Sequence, residues 1–210
     1  MSEPPLLLAT TNKGKVREIR RGLQGLPTTV IGLTEALPGL SCRERGTSFR
    51  ENARAKSLFY SRKWKGLTLA EDSGLEIDAL GGEPGVRSAR FSAPGPTDDK
   101  NNRKTLRLLG DVSPGKRGAR FVCAMALAKD GRIIREIRGE VRGRIGFAGR
   151  GRSGFGYDPL FYYPPLRKTF AELRPAEKNT VSHRGRALRK LRTFLAAYLK
   201  DADRSSRPRT

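Results

Sequence analysis

The stretch "ARFVCAMALAKDGRIIREIRGEVRGRIGF", residues 119–147, limits the possible folds more than any other part of the chain. Two long β-compatible runs flank Asp130-Gly131, a dipeptide suited to the positive-φ turn of a two-residue hairpin. A hairpin of this length brings antiparallel pairing into whatever sheet the chain builds. Upstream, strand and helix patterns alternate. "PLLLAT" reads as a strand, and "KGKVREIRRGL" as a helix with Val16, Ile19 and Leu23 at helical spacing. "TTVIGL" is a second short strand. "TSFRENARAKSLFYSRKW" is a longer helix, capped by Thr47 or Ser48, with Glu51 placed for a capping box. This order indicates a mixed α/β protein with one extended sheet. At 210 residues, without an internal repeat or separating linker, the chain fits one domain over 1–200 and a disordered basic tail over 201–210.

"LTLAEDSGLEIDAL" is the least ordinary segment. "LTLA" and "LEIDAL" read as two strands around a turn at Glu71-Asp72-Ser73-Gly74. Adjacent carboxylates repel unless they are solvated or bound to a cation. A solvated turn and a magnesium or general-base site are both open at this point. "GGEPGVRSARFSAPGPTD" is a Gly/Pro loop in which Arg87 or Arg90 is placed to brace a carboxylate, and a helix follows from Thr97 or Asp98. After the hairpin come "YDPLFYY", a proline-broken run and a last helix, "GRALRKLRTFLAAYL", whose Leu188, Leu191, Leu195 and Leu199 read as core.

Charge narrows the partners without choosing among them. Forty-three Lys+Arg against 21 Asp+Glu give +22, a balance that favours anions such as nucleotides, nucleic acid or anionic membranes. The cations are spread along the chain rather than gathered in a tail. Cys42 and Cys123 stand far apart with no CxxC pattern, which excludes a disulfide scaffold and suits a reducing cytoplasm. Neither a secretory signal nor a membrane span is expected. His183 is the one histidine, so His-ligated zinc is excluded. "GRGRSG" at 149–154 matches G-x-G-x-x-G, but "FGYDP" after it does not open a helix, and "NKGK" lacks the rest of a P-loop. "ATTNKGK" lies between a strand and a helix, where backbone N–H groups and the helix dipole favour phosphate. Lys13 and Lys15 add charge there, and Thr10 and Asn12 add hydrogen bonds. Asn52 and Lys56 share a helix face one turn apart, so Lys56 can reach the same anion.

Five blocks in order, "LATTNKGKVREI", "ERGTSFRENARAKS", "LAEDSGLEIDALGGEPGVRSARF", "GFGYDPLF" and "EKNTVSHRGRAL", resemble the inosine triphosphate pyrophosphatase (XTP/dITP diphosphatase, Ham1-like) family over about residues 6–197. The resemblance implies an α/β single domain: a long curved mixed sheet with helices in two lobes and a nucleotide cleft between them. It implies hydrolysis of ITP, dITP and XTP to monophosphate and pyrophosphate, with Mg2+ as cofactor, in a homodimer. On the matching positions, Asp72 is the catalytic carboxylate and a metal contact, Glu44 the second metal carboxylate and Glu71 a weaker third. The triphosphate loop comprises Thr10, Thr11, Asn12, Lys13, Gly14 and Lys15, joined by Lys56 and Ser73. Base recognition falls to Phe155, Gly156, Tyr157, Asp158, Lys178, His183 and Arg184. Phe155 offers a stacking face. Arg184, or a protonated or suitably oriented His183, donates to the purine O6 where adenine carries an amino donor. Two alternatives stand beside this: a Maf-like nucleotide pyrophosphatase with pyrimidine or modified-nucleotide preference, and a basic nucleic-acid-binding protein. Neither a specific nucleic acid nor a membrane partner is expected.

Overall fold

"LLL" at the start of the chain has no polar face, and the strand it forms, β1 (Leu6–Leu8), is buried on both sides. The computed structural model describes residues 5–205, with the backbone alone for 202–205. β1 pairs in parallel with β2 (Val30–Gly32) and β3 (Leu67–Ile77). Antiparallel pairing then carries the sheet through β4 (Gly118–Lys129), β5 (Arg132–Ile145), β6 (Phe161–Tyr163) and β7 (Lys168–Thr169). The result is one seven-stranded mixed sheet in the order β2-β1-β3-β4-β5-β6-β7. The expected hairpin is β4–β5, and Asp130 (φ 50°) and Gly131 (φ 73°) make its turn.

Helices cover the two faces. One face carries Leu69, Met125 and Ile137 and packs against α1 (Lys13–Leu23) and α6 (His183–Ser205) through Ile19, Leu23, Leu188, Leu191 and Leu195. The other carries Val122, Ala124 and Ala126 under Phe49 and Ala53 of α3 (Phe49–Ser61). Ser48 caps α3 by accepting from Glu51 N at 3.2 Å, while the Glu51 carboxylate accepts from Thr47 N at 2.7 Å, so both expected capping residues are used. The short α2 (Leu33–Ala36), α4 (Asp98–Leu108) and α5 (Pro175–Val181) complete the helices, with Thr97 as the N-cap of α4. Among the described residues no helix is long and apolar enough to cross a membrane.

Three expectations are corrected. Glu71-Asp72-Ser73-Gly74 is no turn: β3 runs unbroken, with Leu67, Leu69, Leu75 and Ile77 on one face. Its period-2 pattern outweighs the Ser-Gly punctuation. The run after "YDPLFYY" contains α5, because Pro175 sits at the first helical position, where its fixed φ suits a helix. α6 starts at His183 and extends to Ser205, past the expected boundary at 200, and residues 206–210 lie outside the described residues.

Strand lengths make the cleft. β1 pairs only with Leu67–Leu69, and Ala9 N closes that ladder on Leu69 O at 2.8 Å. Among the described residues no strand pairs with this edge of β3 from Ala70 onward, and an isolated bridge from Glu76 to Pro84 is met only beyond the cleft residues. Asp72 and Ser73 therefore sit on an open edge, between the N-terminus of α1 and the side of α3.

Candidate active site

A cleft of about 300 Å³ lies along that edge. Thr10, Thr11, Asn12, Lys15, Glu44, Lys56, Asp72 and Ser73 line one end. Phe155, Gly156, Tyr157, Asp158, Lys178, His183 and Arg184 line the other, with Phe121. Of the expected residues Lys13, Gly14 and Glu71 are outside the lining: Lys13 is exposed, Gly14 is buried where a Cβ would lie 2.7 Å from the Phe155 ring, and Glu71 lies behind the cleft.

The α1 end is built for an anion. Asn12 caps α1, its Oδ1 accepting from Lys15 N at 3.0 Å. No acidic residue occupies the first turn of α1. The unpaired N–H groups of that turn and the Lys15 ammonium therefore present positive charge to the cleft.

Asp72 is oriented from α3. Its Oδ2 accepts from Asn52 Nδ2 at 2.9 Å, and Asn52 Oδ1 accepts from Gly46 N at 2.8 Å. Asn52 so ties the loop carrying Glu44 to the carboxylate. Lys56 donates to Glu44 at 2.8 Å and to the Glu71 carbonyl at 2.7 Å, and lies 3.9 Å from Asp72 Oδ1. Burial pushes the Asp72 carboxyl above its ordinary value, against the pull of Lys56 and Lys15. Among the described residues no three His, Cys, Asp or Glu side chains are grouped to hold a metal. Glu44 and Asp72 do face one cation, the Lys56 ammonium.

Glu71 has a different task from the one expected. β3 sends it to the face opposite Asp72, where it is fully buried and accepts from Arg184 Nε at 2.6 Å and Nη2 at 2.9 Å. Lys15 adds a contact at 3.0 Å and the Ser73 hydroxyl a hydrogen bond at 2.8 Å. Burial pushes the Glu71 carboxyl up, but Arg184 and Lys15 more than offset it and hold it well below the usual range. Glu71 is thus the counter-ion of two cleft cations, not a third metal carboxylate.

At the other end, the α6 N-terminus presses onto β5. A Cβ on Gly139 would lie 2.2 Å from His183 O, so only glycine admits this approach. His183 is buried and stacks on Phe121, centroids 4.7 Å apart. Its pKa is driven well below the ordinary value by burial and by Arg184, so it is neutral, which removes the protonated His183 from the expectations. Its Nδ1 is buried without a hydrogen-bond partner among the described residues. Phe155 spans Lys178, at 4.8 Å from its ring centroid, and Arg184, at 5.5 Å. Asp158 fixes this loop, accepting from Phe155 N at 2.9 Å and from Lys178. Tyr157 spends its hydroxyl on Ser88 O at 2.8 Å.

Several positioning groups were not singled out from the sequence. Glu18 of α1 pairs with Lys178 at 2.8 Å and with Arg184. Asp98 and Asn102, one turn apart on α4, hold the two sides of Gly156: Asp98 accepts from its N–H at 2.6 Å and Asn102 donates to its carbonyl at 3.0 Å. For Glu18 a signal existed, since it is the single acid on a helix with five Lys and Arg and lies three residues from Lys15.

This arrangement, an anion-binding helix start facing an oriented carboxylate with an aromatic and cationic slot opposite, defines a nucleotide-binding α/β protein. The Ham1 family model matches residues 6–194, and the chain belongs to that family. It is similar to the "dITP/XTP pyrophosphatase" of Gloeobacter violaceus, 48% identical over 186 residues, covering 89% of this chain and 91% of that protein. The protein of the same name from an Exiguobacterium strain is 45% identical, covering 93% and 98%. Among solved structures, the Staphylococcus aureus Ham1 protein superposes with a TM-score of 0.83 at 36% identity, covering 92% of this chain and 99% of that one. The HAM1 protein from Coxiella burnetii gives 0.84 at 38% identity over the same shares.

Proposed function

We propose that the protein hydrolyses deaminated purine nucleoside triphosphates, dITP, ITP and XTP, to the monophosphate and pyrophosphate. The observation that carries this reading is the placement of Asp72 between a phosphate end and a base end of one cleft. The names of its relatives support the substrate class.

Asp72 acts as general base. Asn52 holds Oδ2, and burial raises the pKa, which makes this carboxylate more basic than a solvated one. A water activated by Asp72 attacks the α-phosphorus. Its O–P bond forms as the bond from that phosphorus to the α–β bridging oxygen breaks. The proton passes to Asp72 and the pair of electrons leaves with pyrophosphate. Lys15, Lys56 and the α1 N-terminus balance the phosphate charge. Asp72 and Glu44 would hold Mg2+, whose preference for one or two carboxylates plus phosphate oxygens suits a site lacking a third ligand. When bound, that ion neutralises charge on the phosphates.

Base choice rests on donors that cannot reverse. Of the five N–H groups of Arg184, Nε gives one to Glu71, Nη2 gives one each to Glu71 and Ser73, and Nη1 gives one to Glu18, so one Nη1 hydrogen is left. Arginine never accepts, so it suits the O6 of hypoxanthine or xanthine and opposes the adenine amino group. Neutral His183 adds a donor when Nδ1 carries the proton. A homodimer in the cytoplasm belongs to the same proposal, and its oligomeric part is tested by light scattering on the purified protein.

The test is pyrophosphate release from dITP, XTP, dGTP, dATP and dTTP, with and without magnesium, beside Asp72→Asn. Magnesium-dependent release favouring dITP and XTP is expected, falling by about 10²–10⁴-fold in the folded variant. Preference for dTTP, or equal turnover by Asp72→Asn, would overturn the reading.

A further inference from the structure

Six charged side chains form one alternating series behind the cleft. Lys15 meets Glu71 at 3.0 Å, Glu71 meets Arg184 at 2.6 Å, and Arg184 meets Glu18. Glu18 meets Lys178 at 2.8 Å, and Lys178 meets Asp158. The two ends differ in task. Lys15 belongs to the phosphate end, and Asp158 fixes the Phe155 backbone at the base end. Glu18 is the middle anion, carried on the same helix as Lys15.

We propose that Glu18 is a positioning residue for purine selection: it holds Lys178 and Arg184 together and so fixes which of their remaining N–H groups meet the base. The inference rests on the activity proposed above. Lys178 has three ammonium hydrogens and gives one each to Asp158 and Glu18. Arg184 keeps one of its five. With Glu18 in place, two cations that would repel each other share one carboxylate, and few donors face the base. Without its charge, Lys178 and the Nη1 end of Arg184 regain donors and turn away from each other, while Glu71 still anchors the rest of the guanidinium. Free donors of that kind suit any acceptor. All purines offer N7, so such donors no longer distinguish O6 from an amino group.

The location supports a selective role over a general one. Glu18 bonds to the base-end cations Lys178 and Arg184, whereas Asp72 is oriented by Asn52 and Lys56, so loss of Glu18 leaves the oriented carboxylate intact. It is also the only acid on a helix otherwise carrying Lys13, Lys15, Arg17, Arg20 and Arg21, and it points inward with its side chain 21% exposed.

Glu18→Gln and Glu18→Asp are compared with wild type by steady-state kinetics on dITP and dATP, by inhibition with inorganic tripolyphosphate, and by thermal melts. In Glu18→Gln, KM for dITP rises with kcat retained, and the dITP/dATP ratio of kcat/KM falls by about 10-fold or more. Tripolyphosphate, which has no base, inhibits as it does the wild type. Glu18→Asp keeps the charge but is one methylene shorter and cannot span both cations, so it restores the melting temperature and not the ratio. An unchanged ratio in Glu18→Gln, an equal loss of tripolyphosphate inhibition, or full recovery of the ratio in Glu18→Asp would overturn the proposal. A wild-type protein that does not turn over dITP defeats the activity instead. The proposal is then read from calorimetric binding of IMP against AMP, where a wild-type preference must disappear in Glu18→Gln, and its persistence, or its absence from wild type, overturns it.

Discussion

Replacing Glu71 by Gln isolates the charge at the centre of the site while keeping the side chain's shape. Glu71 has no solvent contact and accepts two hydrogen bonds from Arg184, one from Ser73 and an ion pair from Lys15. A Gln amide keeps one acceptor oxygen and turns an NH2 group toward two cations, donor against donor. Removing one partner of a buried ion pair costs about 3–5 kcal/mol. Arg184 retains Glu18 and Ser73, which places the expected loss at the low end, about 3 kcal/mol. For a chain of this size that lowers the melting temperature by about 6–12 °C. Urea denaturation followed through Trp64 measures the loss directly, and an unchanged m-value shows that the same two states are compared. The pH dependence supplies a second reading. The Glu71 carboxyl is held below its unfolded value of 4.5, so its contribution is present above pH 4.5 and is lost as pH falls through the folded value. The gap between wild type and Glu71→Gln therefore narrows below pH 4.5. Replacing both Glu71 and Arg184 by Met removes the stranded charge as well, and the double variant should be more stable than the sum of the single losses predicts. A loss under about 1 kcal/mol, or strict additivity, would refute the assignment of Glu71 as the counter-ion that the site depends on.

Two further outcomes follow from neighbouring groups. Lys56 lowers the Asp72 pKa against burial, so in Lys56→Met that pKa rises and the acid limb of kcat/KM moves to higher pH; a limb that stays in place would separate Asp72 from the titration. Arg117 is buried and donates to the carbonyls of Ile145, Leu109, Val112 and Gly146, so Arg117→Met strands them and should cost about 3 kcal/mol or more by urea denaturation, with the dITP/dATP preference retained.

How far the sequence speaks depends on the range of the interaction involved. α1 was legible because Val16, Ile19 and Leu23 repeat at its period within one window, whereas Asn12, read there only as a phosphate contact, also caps it. The β4–β5 hairpin was legible for the same reason, through Asp130-Gly131. β3 was misread because its interruption is chemical and its resolution is distant. Gly74 reads as a turn residue, yet it serves close packing: a Cβ there would lie 2.2 Å from Ser88 Oγ, in the segment Gly85–Arg90.

The adjacent carboxylates are the clearest case. Read along the chain they repel, and solvent or a shared cation seemed the way out. In a strand, neighbours point to opposite faces, so Glu71 and Asp72 never compete for one site. Each then draws its pKa from different surroundings: Glu71 is held down by Arg184, 113 residues away, and Asp72 is pushed up by burial, against Lys56, Lys15 and the hydrogen bond from Asn52, 20 residues away. One ionises more readily than a free carboxylate and the other less. That divergence is what lets two adjacent acids serve as counter-ion and base, and it depends on register and long-range partners that no local window contains.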